Sequence, residues 1–326
     1  MKAAWDWHLP RVTEAEQRAL VAFAHATGFD TLIVHDPTPA MMDEAQQRGV
    51  NVCAIITPNV SDEFAHRRPE CCQQILPAEE AIAAAMRSVD WEEYTVRARR
   101  WFPLVQPGAL FCFEHPLAQA ELKARVDQAL AVADGVAFDG FGFRNHYACF
   151  CPHCQEARQG LMAGSPDRQA ADIMASHAAE SLVRVSQLLY DHAKTRKPTA
   201  IVTNHVWPPF RPDPYYAWRL KLDYCSQTIS WFYKPHWSLT RVAFEASEMR
   251  QLEEPSINRF VPFIGMFHDP QLVRTPARLA AELAIARRYG GDHLIFCSLR
   301  VLQEYPDLRQ VVEEALTGHD QAADGM

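Results

Sequence analysis

The sequence predicts a single-domain α/β protein with the (β/α)8 TIM barrel fold. Short apolar runs alternate with amphipathic helical segments along most of the chain, which is typical of a parallel sheet covered by helices. Eight of these runs are suitable barrel strands. The length of 326 residues fits such a barrel with an insertion, because roughly 250 residues is typical of the fold.

Strands and helices alternate from the N-terminal end of the chain. A first strand at 3–7 precedes a helix that opens with a capping box at Thr13 and Glu16 and stops at Gly28. The remaining strands are expected at 31–34, 50–56, 136–139, 199–203, 224–231, 260–267 and 293–297. Helices are expected between them, among them one at 116–132 and a long amphipathic one at 169–193.

One segment breaks the alternation of strand and helix. Residues 59–108 contain a helical stretch at 78–87 and an aromatic stretch at 91–101, followed by a short extra strand at 109–113. Insertions of this length are more often binding loops or lids than spacers, so this one is expected over the barrel mouth. The barrel domain is predicted to span 1–318, and 319–326 to be a disordered tail.

Composition indicates a cytoplasmic protein. Nine cysteines, an odd number, do not suggest a secreted disulfide framework, and a first strand beginning at Ala3 leaves no room for a signal peptide. No stretch approaches the roughly 20 apolar residues of a membrane helix, so no membrane partner is expected. The net charge of -8, without runs of Lys or Arg, argues against nucleic acid. The sequence does not indicate an oligomeric state.

Three cysteines behind the fourth strand predict a metal site. Cys149, Cys151 and Cys154 are spaced C-x-C-x-x-C, and a tetrahedral zinc site needs one further sulfur or imidazole. Cys112 is the preferred fourth ligand because it ends an apolar run just before the helix that leads into the fourth strand; His146 and His153 are alternatives. Four thiolates leave no position for water, so the predicted Zn²⁺ is structural. The competing interpretation is three reduced cysteines in a tight turn.

The predicted functional residues are those that end the strands, because chemistry in such barrels takes place at the carboxyl ends. Acids, imidazoles, amides and indoles meet there and suit a sugar, whose carbon faces pack on aromatic rings and whose hydroxyls form hydrogen bonds. The predicted substrate-binding residues are Trp7, His35, Asp36, Arg144, Asn145, Asn204, His205, Trp207, Trp231, Tyr233 and His268, with His8, Asp269, Ser298 and Arg300 also at strand ends. A core or rim position is the alternative for each Trp and His.

Two segments resemble known families. Residues 134–143, with Asp139 ending the fourth strand, resemble a segment of glycoside-hydrolase-like TIM barrels. Cys112, a helix, that strand and then C-x-C-P-x-C are similar to the zinc-binding arrangement of family 42 β-galactosidases. Asp139-Gly140-Phe141 stands where family 42 has Asn-Glu, and Gly142 replaces the arginine of the first motif. The resemblance implies a glycosidase or an inactive relative.

A glycosidase needs two carboxyl groups on either side of the scissile bond. Asp139 is the first, and Asp269 at the end of the seventh strand is the preferred second, with Asp36 and Glu114 as alternatives. A sugar-binding barrel without catalysis is a competing hypothesis. Another is a metallohydrolase that uses His8, His35, His205 and His268 with Asp36 or Asp269. Asp139 could also be a structural acid that caps the next loop.

Overall fold

A computed structural model describes residues 1–7, 13–74, 109–141, 149–206 and 216–317. Its strands are β1 (Lys2–Asp6), β2 (Thr31–Val34), β3 (Asn51–Ile56), β4 (Asn59–Val60), β5 (Ala109–Leu110), β6 (Gly135–Asp139), β7 (Ile201–His205), β8 (Tyr224–Ser230), β9 (Arg259–Gly265) and β10 (Leu294–Cys297). All but β4 and β5 form a closed parallel barrel, in the order β1-β10-β9-β8-β7-β6-β3-β2. This confirms the predicted (β/α)8 fold.

Helices cover the outside of the barrel. The described helices are α1 (Glu14–Thr27), α2 (Pro39–Arg48), α3 (Asp62–Arg67), α4 (Pro116–Leu130), α5 (Pro152–Gly164), α6 (Ala170–Arg196), α7 (Leu239–Gln251), α8 (Pro276–Gly290), α9 (Leu299–Glu304) and α10 (Pro306–Thr317). The predicted capping box at Thr13 and Glu16 is present, and Gly28 ends α1 with a φ of 101°. Among the described residues, no helix combines the length and apolar character needed to cross a membrane.

The two described ends of the insertion pair with each other. Strands β4 and β5 form a two-stranded antiparallel sheet, in which Asn59 is paired with Leu110. The helical stretch predicted at 78–87 and the aromatic stretch predicted at 91–101 lie outside the described residues, and so does the tail predicted at 319–326. The amide of Phe111 also donates to the carbonyl of Pro58 at 2.9 Å, so Cys112, just after β5, lies close to the end of the third barrel strand.

Alternation along the strands separates two apolar cores. Trp5, Ala137 and Phe263 belong to the core inside the barrel, whereas Val136 and Phe138 belong to the larger core between barrel and helices. Since successive side chains of a strand point to opposite faces, Asp139 follows Ala137 inward and ends β6 at the mouth. Each strand end therefore presents every second residue to the site.

Two strand boundaries differ from the prediction in a way that affects the site. The fifth barrel strand is 201–205 rather than 199–203, so Asn204 and His205 are paired strand residues and not loop residues. The seventh ends at Gly265, which leaves Phe267 in the loop at the mouth. Asn204 and His205 are polar and were therefore placed after the fifth strand, whereas the apolar run of the seventh continues through Met266 and Phe267 beyond the end of its strand.

Candidate active site and metal centre

The four predicted metal ligands come together. The sulfur atoms of Cys112, Cys149, Cys151 and Cys154 lie within 4.8 Å of one another, and all four residues are buried. Cys112 Sγ is 3.5 Å from the sulfurs of both Cys151 and Cys154. Tetrahedral zinc with Zn–S bonds of about 2.3 Å separates its sulfur ligands by roughly 3.8 Å, so the cluster has suitable dimensions for a metal ion.

Backbone amides around the cluster suit thiolate ligands. The amide of Gln74 donates a hydrogen bond to Cys149 Sγ at 3.1 Å, and the amide of Cys151 approaches the same sulfur at 3.4 Å. Such N–H···S contacts favour the charged form of a ligand, as do other hydrogen bonds to an anion. Of the alternative ligands, His153 is exposed and packs edge-on against His115, while His146 lies outside the described residues. Cys112 is therefore the fourth member of the cluster.

Glu114, an alternative second carboxylate, belongs to a charged group beside the cysteine cluster. Its Oε1 lies 3.4 Å from His177 Nε2 and accepts a short hydrogen bond from Arg184. Burial by itself would raise the pKa of Glu114, but its interactions with His177 and Arg184 outweigh burial and lower the pKa from 4.5 to about 2. Glu114 is thus paired with residues of α6.

Acid should remove the stabilising contribution of Glu114. Because its pKa is lower in the folded protein, this contribution is complete above about pH 4.5 and disappears as the pH falls towards 2. We expect Glu114→Gln to have a lower free energy of unfolding than wild type at pH 6. Near pH 2.5 the two free energies should differ less, and urea unfolding measures both. Glu63→Gln is the control, since that side chain is 79% exposed. An unchanged difference between wild type and Glu114→Gln across this range would contradict the assignment.

Two ring nitrogens contact Asp139 at the mouth. Trp7 Nε1 donates to its Oδ2 at 2.9 Å, and His205 Nδ1 lies 3.3 Å from its Oδ1. The Asp139 side chain remains 18% exposed. The carboxylate is therefore fixed in orientation and still accessible from the mouth.

His205 and Asn204 lie behind this carboxylate. The side chain of His205 is fully buried, stacks on Phe263 with ring centroids 3.9 Å apart, and lies 2.9 Å from Thr228 Oγ1 through Nε2. Asn204 points away from the barrel interior, and its Oδ1 accepts the amide of Ser226 at 2.9 Å. Both residues, predicted to bind substrate, are buried: His205 contacts Asp139, and Asn204 joins β7 to β8.

Aromatic rings form one wall of the site. Trp7 and Phe267 are half-buried and stack with centroids 6.1 Å apart and an interplanar angle of 28°. Phe232 packs against both rings from behind, at 6.1 Å from Trp7 and 4.9 Å from Phe267. Sequence reasoning missed Phe267 because it was assigned to the strand. Its position two residues after Gly265 is the signal that would have identified it.

The predicted aromatic residues of the sixth strand support this wall from inside. Trp231 is buried and stacks on Trp237 at 5.9 Å with an interplanar angle of 13°, and Tyr233 packs on Phe267 at 5.1 Å. Burial raises the pKa of the Tyr233 hydroxyl. The buried Arg274 fixes the strand ends that carry the wall, donating to the carbonyls of Gly265 and Trp231.

Gly265 leaves the space that the wall requires. A Cβ atom at this position would lie 1.6 Å from the Phe232 ring. We expect Gly265→Ala to displace Phe232 and to destabilise the protein by about 1–3 kcal/mol or more, as overpacking of a core does. Gly160→Ala is the matched control, because nothing lies within 4 Å of a Cβ there and α5 should gain up to about 1 kcal/mol. Equal unfolding free energies for the two variants would show that the Phe232 contact is unimportant.

The other predicted residues are dispersed around the mouth. Asp269 is exposed, and its Oδ1 accepts the amide of Gln271 at 2.8 Å within its own turn. His268 makes a short ion pair with Glu304 of α9. His35 is half-buried, and Asp36 is exposed with a φ of 44°. The predictions for His8, Arg144, Asn145 and Trp207 lie outside the described residues.

Solved structures similar to the chain include several glycoside hydrolases. A β-galactosidase from the haloarchaeon Halorubrum lacusprofundi shares 13% identity at a TM-score of 0.68, over 98% of this chain and 59% of that enzyme. A catalytic mutant of a GH42 β-galactosidase from G. stearothermophilus shares 11% identity at a TM-score of 0.61, over 96% of this chain and 56% of that enzyme. The PgaB (BpsB) glycoside hydrolase domain from Bordetella bronchiseptica shares 11% identity at a TM-score of 0.64, over 98% of this chain and 99% of that domain. No family model and no curated protein matches the chain.

The fold is therefore that of the glycoside hydrolase TIM barrels, and among the described residues the carboxylate of Asp139 is held at the mouth by Trp7 and His205. Within that class, the structural likeness extends to GH42 β-galactosidases, and four buried cysteines here form a cluster that could hold a metal ion. At these identities the likeness is one of fold. The chain spans little more than half the length of the two β-galactosidases, so their activity is not transferred with it.

Proposed function

We propose that the protein is a carbohydrate-active hydrolase that cleaves a glycosidic bond with Asp139 as one of its carboxyl groups. The observation that carries the proposal is the position of Asp139 at the end of the fourth barrel strand, accessible and held by Trp7 and His205. The half-buried rings of Trp7 and Phe267 beside it suit the carbon face of a sugar. A small glycoside or an oligosaccharide is the substrate class.

The chemistry assigned to Asp139 is that of a carboxylate anion. Trp7 can only donate at Nε1, and a second N–H from His205 would leave both oxygens accepting hydrogen bonds. Such a group stabilises positive charge on the sugar, attacks it or removes a proton from water. Asp269 remains the proposed partner, and the distance between the two carboxyl groups with a sugar bound would distinguish retention, near 5 Å, from inversion, at about 6.5–9.5 Å.

A sugar-binding barrel without catalysis is the second candidate. It is favoured by the engagement of Asp269 in its own turn, which leaves Asp139 as the carboxylate held among the aromatic rings. The metallohydrolase alternative has less support. Within the described ranges, the cysteine cluster is the one group of His, Cys, Asp and Glu side chains close enough to hold a metal.

A screen of nitrophenyl glycosides tests the proposal. We expect at least one sugar to be released by the wild-type protein, and isothermal titration with the free sugar to show binding. Binding of a sugar without turnover of any glycoside would favour the second candidate. Neither binding nor turnover with any sugar would contradict both.

We also propose that the cysteine cluster holds a structural zinc ion. Cys112, Cys149, Cys151 and Cys154 would be its ligands, and four sulfurs leave no position for a substrate. Zinc here would stabilise the junction between the insertion and the fourth strand and take no part in the reaction. None of the nine cysteines is in a disulfide bond, which supports the cytoplasm as the proposed compartment.

A further inference from the structure

Three neighbouring strands carry a chain of hydrogen-bonding side chains from the mouth into the barrel. Asp139 on β6 and His205 on β7 are direct register partners, and Thr228 follows on β8. The distances are 3.3 Å from Asp139 Oδ1 to His205 Nδ1 and 2.9 Å from His205 Nε2 to Thr228 Oγ1. The fully buried imidazole also stacks on Phe263, so its ring plane is fixed.

The charge state of each group determines where the protons lie in this series of hydrogen bonds. Burial lowers the pKa of His205, against the opposing effect of Asp139, so the ring is neutral at neutral pH and carries a single N–H. An ionised carboxylate can only accept, which requires the proton on Nδ1. Nε2 is then the acceptor, and the Thr228 hydroxyl donates to it.

We propose that His205 is a positioning residue that holds Asp139 through its Nδ1–H tautomer, and that the charge on Asp139 determines which tautomer is present. Trp7 and His205 differ as partners of Asp139, because an indole N–H donates and never accepts. Of the two partners of Asp139, His205 alone can exchange donor for acceptor. If the carboxyl group becomes a donor, the imidazole of His205 must therefore change its tautomer.

Asp139→Asn should reverse the donor and acceptor roles along this series of hydrogen bonds. The amide must turn its oxygen towards Trp7 Nε1, which places its NH2 group against His205 Nδ1. Nδ1 then has to accept, the proton moves to Nε2, and the Thr228 hydroxyl changes from donor to acceptor. The substitution of one oxygen by NH2 thus predicts a tautomer change in a neighbouring buried ring.

Nuclear magnetic resonance on the full-length protein labelled with ¹⁵N in the histidine rings tests this directly. A His205→Asn spectrum assigns the signals of His205, and Thr228→Ser, which keeps the hydroxyl, should retain the wild-type tautomer. We expect protonated Nδ1 and bare Nε2 in wild type, and the reverse in Asp139→Asn. An Nε2–H tautomer or an imidazolium in wild type would overturn the proposal, and that result does not depend on the folding of Asp139→Asn. The same tautomer in wild type and in folded Asp139→Asn would overturn it too.

The kinetic consequence rests on the proposed function. With a glycoside that is turned over, His205→Phe, which keeps a ring against Phe263 but has no N–H to donate, should lower kcat by about 10-fold or more and change KM little, since a misoriented carboxylate loses reactivity before it loses the substrate. Turnover with an unchanged kcat in His205→Phe would overturn the positioning role while the proposed function stands. Should no glycoside be cleaved, the proposed function fails and the tautomer result still decides the structural part.

Discussion

Protein purified without added metal is expected to contain about one zinc ion per chain, and Cys151→Ser is expected to lose it. The four sulfurs of the cluster lie within 4.8 Å of one another in a buried position, and each is a ligand type that zinc prefers. Zinc binding to structural sites is coupled to folding, with apparent free energies of about 10 kcal/mol or more in zinc-finger peptides. We therefore expect the melting temperature of Cys151→Ser to fall by about 5 °C or more.

Elemental analysis and thermal unfolding together measure this effect. Cys72→Ser is the matched control, because Cys72 is a buried cysteine next to the same segment but outside the cluster, and its weak contact with the Arg68 carbonyl is one that a serine can make. It should keep the metal. Metal-free wild-type protein, or equal metal content in Cys151→Ser and wild type, would disprove the assignment.

Asp139→Asn is expected to reduce glycoside turnover by roughly 10²-fold or more, the scale of general acid/base contributions. The amide has nearly the shape of the carboxylate, so it can keep a hydrogen bond to Trp7 while losing the charge and the ability to exchange a proton. Binding of the sugar should be largely retained, because the aromatic wall of Trp7, Phe232 and Phe267 is unchanged.

The measurement is kcat and KM on the best substrate of the glycoside screen. Asp43→Asn is the control for the chemical change, since Asp43 is a carboxylate on α2 that is 63% exposed and paired with Arg18. Its kinetics should match wild type. Full activity in Asp139→Asn would remove the main support for a glycosidase and would leave Asp139 as a structural acid that orders the mouth.

The positions of some site residues were predicted from the sequence and those of others were not. Asp139 was predicted correctly as the residue that ends the fourth strand, because a short apolar run followed by Asp-Gly marks a strand end locally. Asn204 and His205 were predicted as a pair of binding residues. They lie on opposite faces of β7, and a two-residue shift in the assumed strand boundary hid this alternation. Phe267 was missed for the same reason on β9.

Local signals were enough to predict the barrel and three of the four clustered cysteines. Hydrophobic periodicity indicates the strands and helices, and the C-x-C-x-x-C spacing places Cys149, Cys151 and Cys154 within one turn. The fourth, Cys112, was the preferred candidate over two histidines, and its place in the cluster depends on the fold. Folding of the barrel is what brings Trp7, just after the first strand, and His205, from the fifth, to Asp139, and what turns Asp269 into its own loop. These contacts join strands more than 60 residues apart, |i−j| = 132 and 66, and depend on register and inward alternation after barrel closure. No local pattern encodes them.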